Sequence, residues 1–303
     1  MEFFSGHKTL LTRMQNGEFL VSIQIDPPDA GSTAEFRAAL HDLDRAGAKL
    51  IDINSSRRVS HDSIQLAVML AQRGFEAIPH VTTRDSSING LLNQVLAAYE
   101  WGSVRNFLVI TGDPYEAAQA VIPSRGVFQT DAAGAIKAFD KHLRKHPQRK
   151  LPVTFAAAVN QNERDLAKEG KQICEKESAG ADFFMSQPVF DRVQAQHLFD
   201  FYGQHSERPL LVGVWPFAKF KTVEAIAAGR IVGVELPDGL HHEAAMSSDS
   251  DDELLGWSIK RTFSLIEFLR ESGRARGVYI VAPSRNPLLL IGLIAMLRER
   301  KIM

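Results

Sequence analysis

Cysteine is almost absent: Cys174 stands alone in 303 residues. One thiol excludes an internal disulfide and a cysteine-based metal cluster, and it fits a reducing, cytoplasmic setting. An excess of one charge is missing too. Lys and Arg number 35 against 36 Asp and Glu, a net charge of -1, so no global field draws the chain to nucleic acid or to an anionic membrane. No apolar run is long; residues 287–297 are the most apolar and cover about half of a bilayer crossing, which predicts a buried C-terminal helix. The first eleven residues carry Glu2 and His7 and lack the basic-then-apolar order of a secretory leader. Neither a phosphate-cradling Gly-x-x-x-x-Gly-Lys nor a Gly-x-Ser-x-Gly elbow occurs. Where a dinucleotide fold would show Gly-x-Gly-x-x-Gly after its first strand, the chain reads Asp26-Pro27-Pro28.

What is present is regular. Hydrophobic residues make up 45% and charged residues 23%, the balance of a soluble globular protein. The length admits two domains or one α/β barrel of roughly 250 residues or more. Eight short β-branched runs stand at 19–25, 49–53, 76–80, 106–111, 153–158, 182–187, 210–214 and 277–282. Stretches of helical period separate them, at 33–46, 62–73, 87–99, 131–144, 163–178, 192–203, 222–228 and 253–272, with a last one at 286–300. Strands alternating with helices imply parallel pairing through right-handed crossovers. Eight such units use essentially the whole chain, so the expected architecture is a single (β/α)8 TIM barrel domain over residues 1–303. A doubly wound sheet is the alternative. The polar run 245–253 is the best candidate for a mobile loop, and its Ser and Asp residues also suit a helix N-terminus.

In a barrel, chemistry belongs to the C-terminal ends of the strands. The first strand ends Gln24-Ile25-Asp26-Pro27-Pro28, and the prolines fix the exit loop so that Gln24 and Asp26 share a side. Asp26 suits an acid, a base or a hydrogen-bond acceptor, and equally a turn-forming residue. His80, followed by Thr82, Thr83 and Asp85, suits a proton carrier or a cofactor contact, or a structural hydrogen bond. Thr111-Gly112-Asp113-Pro114 joins a glycine that allows close backbone approach to a carboxylate that can accept paired N–H donors. Gln187 offers both a donor and an acceptor to an amide-like ring edge. No metal site is expected; His241 and His242 are adjacent and do not share a helical face. Lysines near strand ends, which a Schiff-base lyase would need, are few: Lys219 and Lys221 follow the seventh run, and neither lies on a strand.

Taken in order, Ile23-Gln24-Ile25-Asp26-Pro27-Pro28, Pro79-His80-Val81-Thr82, Ile110-Thr111-Gly112-Asp113-Pro114, Ala179-Gly180-Ala181-Asp182 with Ser186-Gln187-Pro188-Val189-Phe190-Asp191, and Pro216 with Lys219-Phe220-Lys221 resemble the methylenetetrahydrofolate reductase family. The resemblance runs over residues 17–300. It implies a flavin-containing barrel that interconverts 5,10-methylene- and 5-methyltetrahydrofolate, with FAD as cofactor, NADH or NADPH as cosubstrate, and protonation at folate N10 opening the five-membered ring. Carried onto this chain, it implies that Asn54, His80, Thr82, Thr111 and Gly112 lie by the flavin and that Asp113 sits between flavin and pterin. Gln187 would bind folate, Phe220 would stack on its p-aminobenzoate ring, and Arg285 would meet its glutamate tail. The expected partner is therefore a small tetrahydrofolate derivative, bound by a homo-oligomer. Two positions depart from the pattern. The family's general acid, a Glu on strand one, aligns with Gln24, which leaves Asp26 or a water to supply the proton, or favours oxidation of the methyl compound. A helix Lys that contacts FAD in some members aligns with Cys174, and residues 159–163 lack the expected proline.

Overall fold

The computed structural model describes residues 9–29, 31–57, 59–115, 126–148 and 150–303. Eight parallel strands close into one barrel: β1 (Leu20–Ile25), β2 (Leu50–Ile53), β3 (Glu76–Thr82), β4 (Asn106–Ile110), β5 (Thr154–Val159), β6 (Phe183–Val189), β7 (Leu210–Val214) and β8 (Gly277–Val281). They follow chain order around the barrel, and β8 pairs with β1 from Leu20↔Gly277 to Gln24↔Val281. Closure removes every sheet edge. This is the (β/α)8 TIM barrel the alternation predicts.

The crossovers are α2 (Thr33–Ala46), α3 (Ser63–Ala71), α4 (Ile88–Gly102), α5 (Ala132–Phe139), α6 (Leu166–Ala179) and α7 (Arg192–Tyr202). After β7 come α8 (Phe220–Ala227), α9 (Leu240–Met246) and α10 (Asp251–Glu271), and α11 (Ile291–Glu299) follows β8. Asp62, Ser87, Asp131, Asp165, Asp191 and Ser250 each accept a first-turn N–H and so set where a helix begins. The two-residue pleat divides each strand. Val21, Ile23 and Ile25 of β1 join the shell that also holds Leu40, Leu43, Leu293 and Leu297 of the helices. Leu20 turns inward to the lumen cluster with Leu50, Ile78, Leu108, Phe183, Leu211 and Tyr279.

Three features differ from expectation. A short helix before the barrel, α1 (Leu10–Gln15), is preceded by a capping Thr9 and puts Leu10 and Met14 into the lumen cluster at its N-terminal end. It is too short to show a helical period, and Arg13 pins it to Glu76 of β3 at 2.7 Å. The helix predicted over 131–144 widens after Phe139 into a π turn, Asp140–Arg144, with Lys145 N donating to Asp140 O at 2.9 Å. That turn aims Arg144 at Asp182, just before β6, with 2.7 Å between Nη1 and Oδ2. The polar run 245–253 is no single loop: it ends α9, and Ser250 then caps α10, whose first turn holds Asp251, Asp252 and Glu253.

Candidate active site

A cavity of about 950 Å³ opens at the C-terminal ends of the strands, within the roughly 300–1,000 Å³ typical of small-molecule sites. A second cavity of about 640 Å³, bordered by Arg13, Glu76 and Arg276, lies at the opposite end, where barrels carry stability rather than chemistry. The larger one is lined by Gln24, Asp26, Asn54, His80, Thr82, Gly112, Asp113, Gln187 and Arg285, so six of the eight strands deliver the expected residues to one space. Thr111 and Phe220 are not in its lining.

The floor is polar and buried. Asp52 of β2 is fully buried, and its two oxygens face two neighbours. Gln24 Nε2 donates to Oδ2 at 2.8 Å, and His80 Nε2 meets Oδ1 at 2.8 Å. These three come from inward positions of β1, β2 and β3, which are consecutive in the barrel. The other ring nitrogen, His80 Nδ1, is buried with no hydrogen-bond partner among the described residues, and so is Trp215 Nε1 just beyond β7. Both residues line the cavity. Unpaired buried polar atoms cost of order 1–3 kcal/mol each, and functional sites are where such costs are tolerated. Tyr279 of β8 completes the floor, donating to Ser186 O at 2.6 Å. Burial, and then the Asp52 charge, push its hydroxyl well above the ordinary tyrosine value.

The rim is held by ion pairs. Asp26 accepts from Asn54 Nδ2 at 2.8 Å and from Arg285 Nε at 3.0 Å, while Arg285 Nη1 reaches Asp29 at 3.3 Å. Partial burial works against the Arg285 charge, but Asp26 and Asp29 more than offset it and raise its pKa. Ser284 and Arg285 both have positive φ, 52° and 60°, a conformation that costs non-glycine residues energy and clusters at functional loops. Both oxygens of Asp26 are thus occupied by donors, which makes it a tether in this arrangement.

Arg84, which sequence reasoning passed over, ties three loops together. Its guanidinium donates to both Asp85 oxygens, at 2.7 and 2.6 Å, to Ser56 O at 3.1 Å and to Asp113 O at 3.4 Å, and it lies over the Tyr115 ring. Gly112 follows β4 with φ of 82°, and a Cβ there would come within 2.2 Å of Thr82 Oγ1. Thr82 in turn donates to Thr111 O at 3.1 Å. The Thr111 hydroxyl accepts from Ala132 N at 3.1 Å, which joins β4 to the start of α5 and explains why it faces away from the cavity.

Gln187 is set by a neighbour. Gln161 grips its backbone twice, at 2.9 and 3.0 Å, and leaves its amide free to line the cavity. Phe220 begins α8 with its ring 5.2 Å from that of His241 on α9, in a satellite apolar cluster. The aromatic surface of the cavity comes instead from Trp215, beside Ile231 and Val232. On α6, Cys174 is exposed, whereas the Lys176 amine reaches inward to Ala158 O at 2.9 Å, beside Thr111. Lys176 is thus the α6 lysine that lies beside the strand ends, two positions after Cys174. Among the described residues no group of three or more His, Cys, Asp or Glu could hold a metal ion, and no helix is long and apolar enough to cross a membrane.

A family model described as methylenetetrahydrofolate reductase matches residues 9–289. The chain belongs to that family. Among solved structures, an uncharacterized protein from Clostridium thermocellum is similar at a TM-score of 0.68 and 15% identity, covering 97% of this chain and 100% of that one. That protein binds two copies of 5-methyl-5,6,7,8-tetrahydrofolic acid. An oxaloacetate acetylhydrolase shares the fold at a TM-score of 0.55 and 12% identity, over 96% of this chain and 85% of that one. A 2,3-dimethylmalate lyase does so at 0.53 and 13%, over 96% and 86%. At such identities these structures show a common barrel and no more. Membership in the reductase family supports folate-related oxidoreductase chemistry.

Proposed function

We propose that this protein is a FAD-dependent oxidoreductase that interconverts 5,10-methylene- and 5-methyltetrahydrofolate, with NADH or NADPH as the other substrate. The observation that carries this is the convergence of the family-type residues from six strand ends on one cavity. The cavity suits a flat ring system rich in nitrogen and oxygen: about 950 Å³ is available, and the polar side chains of Gln24, Asn54, His80, Thr82 and Gln187 belong to residues that line it. FAD, when bound, supplies the hydride acceptor and donor that no side chain here can provide. Asn54, His80, Thr82 and the Gly112–Asp113 turn would hold its ring, and Lys176 would meet an anionic part of it. Gln187 orients the folate ring edge and Arg285 offers a cation to its carboxylates. Trp215, Ile231 and Val232 supply the apolar wall. Gln24 cannot donate a proton at a useful pKa, and it is committed to Asp52. The N10 proton, lost in one direction and gained in the other, must therefore be handled by another group or by water.

The same proposal has the chain acting as one domain, in a homo-oligomer, in the cytoplasm. Titrating the purified protein with FAD tests the cofactor assignment: quenched flavin fluorescence and a yellow protein after desalting support it. A colourless protein that retains no FAD overturns it.

A further inference from the structure

We propose that Gln161 is a positioning residue that holds Gln187 at the cavity wall and thereby sets the affinity for folate. The proposal rests on the folate reading above and concerns how that ring is recognised.

β5 runs out where Gln187 needs it. The last pair of the β5–β6 ladder is Val159↔Ser186, one residue short of Gln187. Gln161, two residues past the end of β5, closes the gap with its side chain. Its Oε1 accepts from Gln187 N at 3.0 Å, and its Nε2 donates to Gln187 O at 2.9 Å. A side-chain amide presents the same donor and acceptor as a peptide group, so Gln161 adds one rung to the ladder. On the other side of β6 the pairing with β7 passes from Met185↔Leu211 to Pro188↔Gly213, a shift of register. Irregularities of this kind re-aim side chains beside active sites. Gln187 stands inside this one, where the regular ladder does not dictate its direction.

The segment that carries Gln161 is itself braced. Asn160 N donates to Glu169 Oε1 at 3.1 Å, and Glu169 is buried on α6. Asn162 Nδ2 donates to Gly233 O at 2.9 Å. Gly233 has φ of 76°, and a Cβ there would stand 3.0 Å from Gln187 Nε2, so its backbone lies against the Gln187 amide. Val232 and Val234 on either side of it line the cavity, as does Gln187. Residues 160–162 therefore fix both the backbone of Gln187 and the segment its amide rests on. That amide is half-buried and makes no hydrogen bond among the described residues, which leaves its donor and acceptor for a ligand.

The test measures 5-methyltetrahydrofolate affinity by calorimetry in FAD-loaded wild type, Gln161→Met, Gln187→Ala and the double variant, with FAD affinity followed by fluorescence. Methionine keeps the volume and removes both hydrogen bonds. Gln187→Ala should weaken folate binding about tenfold and Gln161→Met about fivefold, the scale of a lost or misaimed hydrogen bond. The double variant should be within about twofold of Gln187→Ala, because residues acting through one contact do not add. FAD affinity in Gln161→Met should stay within about threefold, whereas a general loosening of the barrel would lower both affinities together. Gln161→Glu supplies a second readout. Its neutral acid reproduces both hydrogen bonds, and its carboxylate loses the donor and meets Gln187 O. Its deficit relative to wild type should be larger at about pH 8 than at about pH 5, closer to the carboxyl range. Should Gln161→Met fail to fold, this comparison decides alone. Wild-type folate affinity in Gln161→Met, losses that add in the double variant, FAD affinity falling in step with folate affinity, or a Gln161→Glu deficit equal at both pH values overturns the proposal. A wild type that binds no folate overturns the underlying function, a result distinct from any of these.

Discussion

The Arg285 guanidinium, in the loop after β8, meets Asp26 at the end of β1, Nε to Oδ2 at 3.0 Å. The first and last strands of the barrel are thereby tied across the mouth of the cavity. The pair is partly exposed, so it adds only about 0–1 kcal/mol to stability; its use is to hold a cation at the rim. Asp26→Asn should therefore leave the melting temperature nearly unchanged. It should weaken 5-methyltetrahydrofolate binding about three- to tenfold, a change of roughly 0.7–1.4 kcal/mol. Calorimetry and steady-state rates check this. A large fall in kcat with unchanged affinity would instead make Asp26 a proton donor.

Gln24→Glu restores the family's carboxylate but sets it against Asp52, which now receives the Gln24 amide at 2.8 Å. A buried donor is lost and two like charges meet, so the variant should melt roughly 3–10 °C lower at neutral pH. The sign with pH follows from the shared proton. The pair's folded-state pKa rises above the unfolded carboxylate value of about 4.3, so the deficit is small below that pH and grows as pH rises through the folded value. Calorimetric scans of variant and wild type at acid and neutral pH should show the gap closing toward acid.

Gly112→Ala meets two obstacles, the 82° φ and a Cβ position 2.2 Å from Thr82 Oγ1. We expect a loss of about 1–3 kcal/mol from strain and overpacking, together with weaker FAD retention, because the Thr82–Thr111 contact must shift. Fluorescence titration and thermal melts report both effects. Unaltered FAD affinity would show that the turn does not touch the cofactor.

Tyr279 and Tyr202 are both buried neutral, each with a pKa raised first by burial. Unfolded tyrosine ionises near pH 10, so the unfolded state sheds these protons first and stability falls as pH rises above that value. Tyr279→Phe should flatten this alkaline fall. At neutral pH it should cost about 1 kcal/mol for the lost hydrogen bond to Ser186 O. Denaturant melts at pH 8 and pH 11 decide it.

The barrel was legible because strand runs and helical periods alternate eight times, and the C-terminal ends of those runs pointed to the cavity. Asp26, His80 and Gln187, singled out by position alone, all line that cavity. Other parts depend on distances that sequence does not show. Asp52 looks like one polar residue inside an apolar strand, and only the closed barrel sets it between Gln24 and His80. Its signal was a carboxylate at an inward-facing position of β2. Arg84 gains its role from three loops that are distant in sequence. Phe220 leans on His241 in the first turn of α8, and the aromatic surface of the cavity comes from Trp215. Lys176 gives no signal in the sequence, and only the orientation of α6 turns it toward Ala158 O of β5.

The central claim, folate redox chemistry at this cavity, is tested most directly by mixing FAD-loaded protein anaerobically with 5-methyltetrahydrofolate and following the visible flavin band. The band should bleach in a single turnover and return on adding 5,10-methylenetetrahydrofolate. An oxidised flavin spectrum unchanged by 5-methyltetrahydrofolate, in protein that also binds it, would contradict the claim and leave a folate-binding barrel without redox turnover.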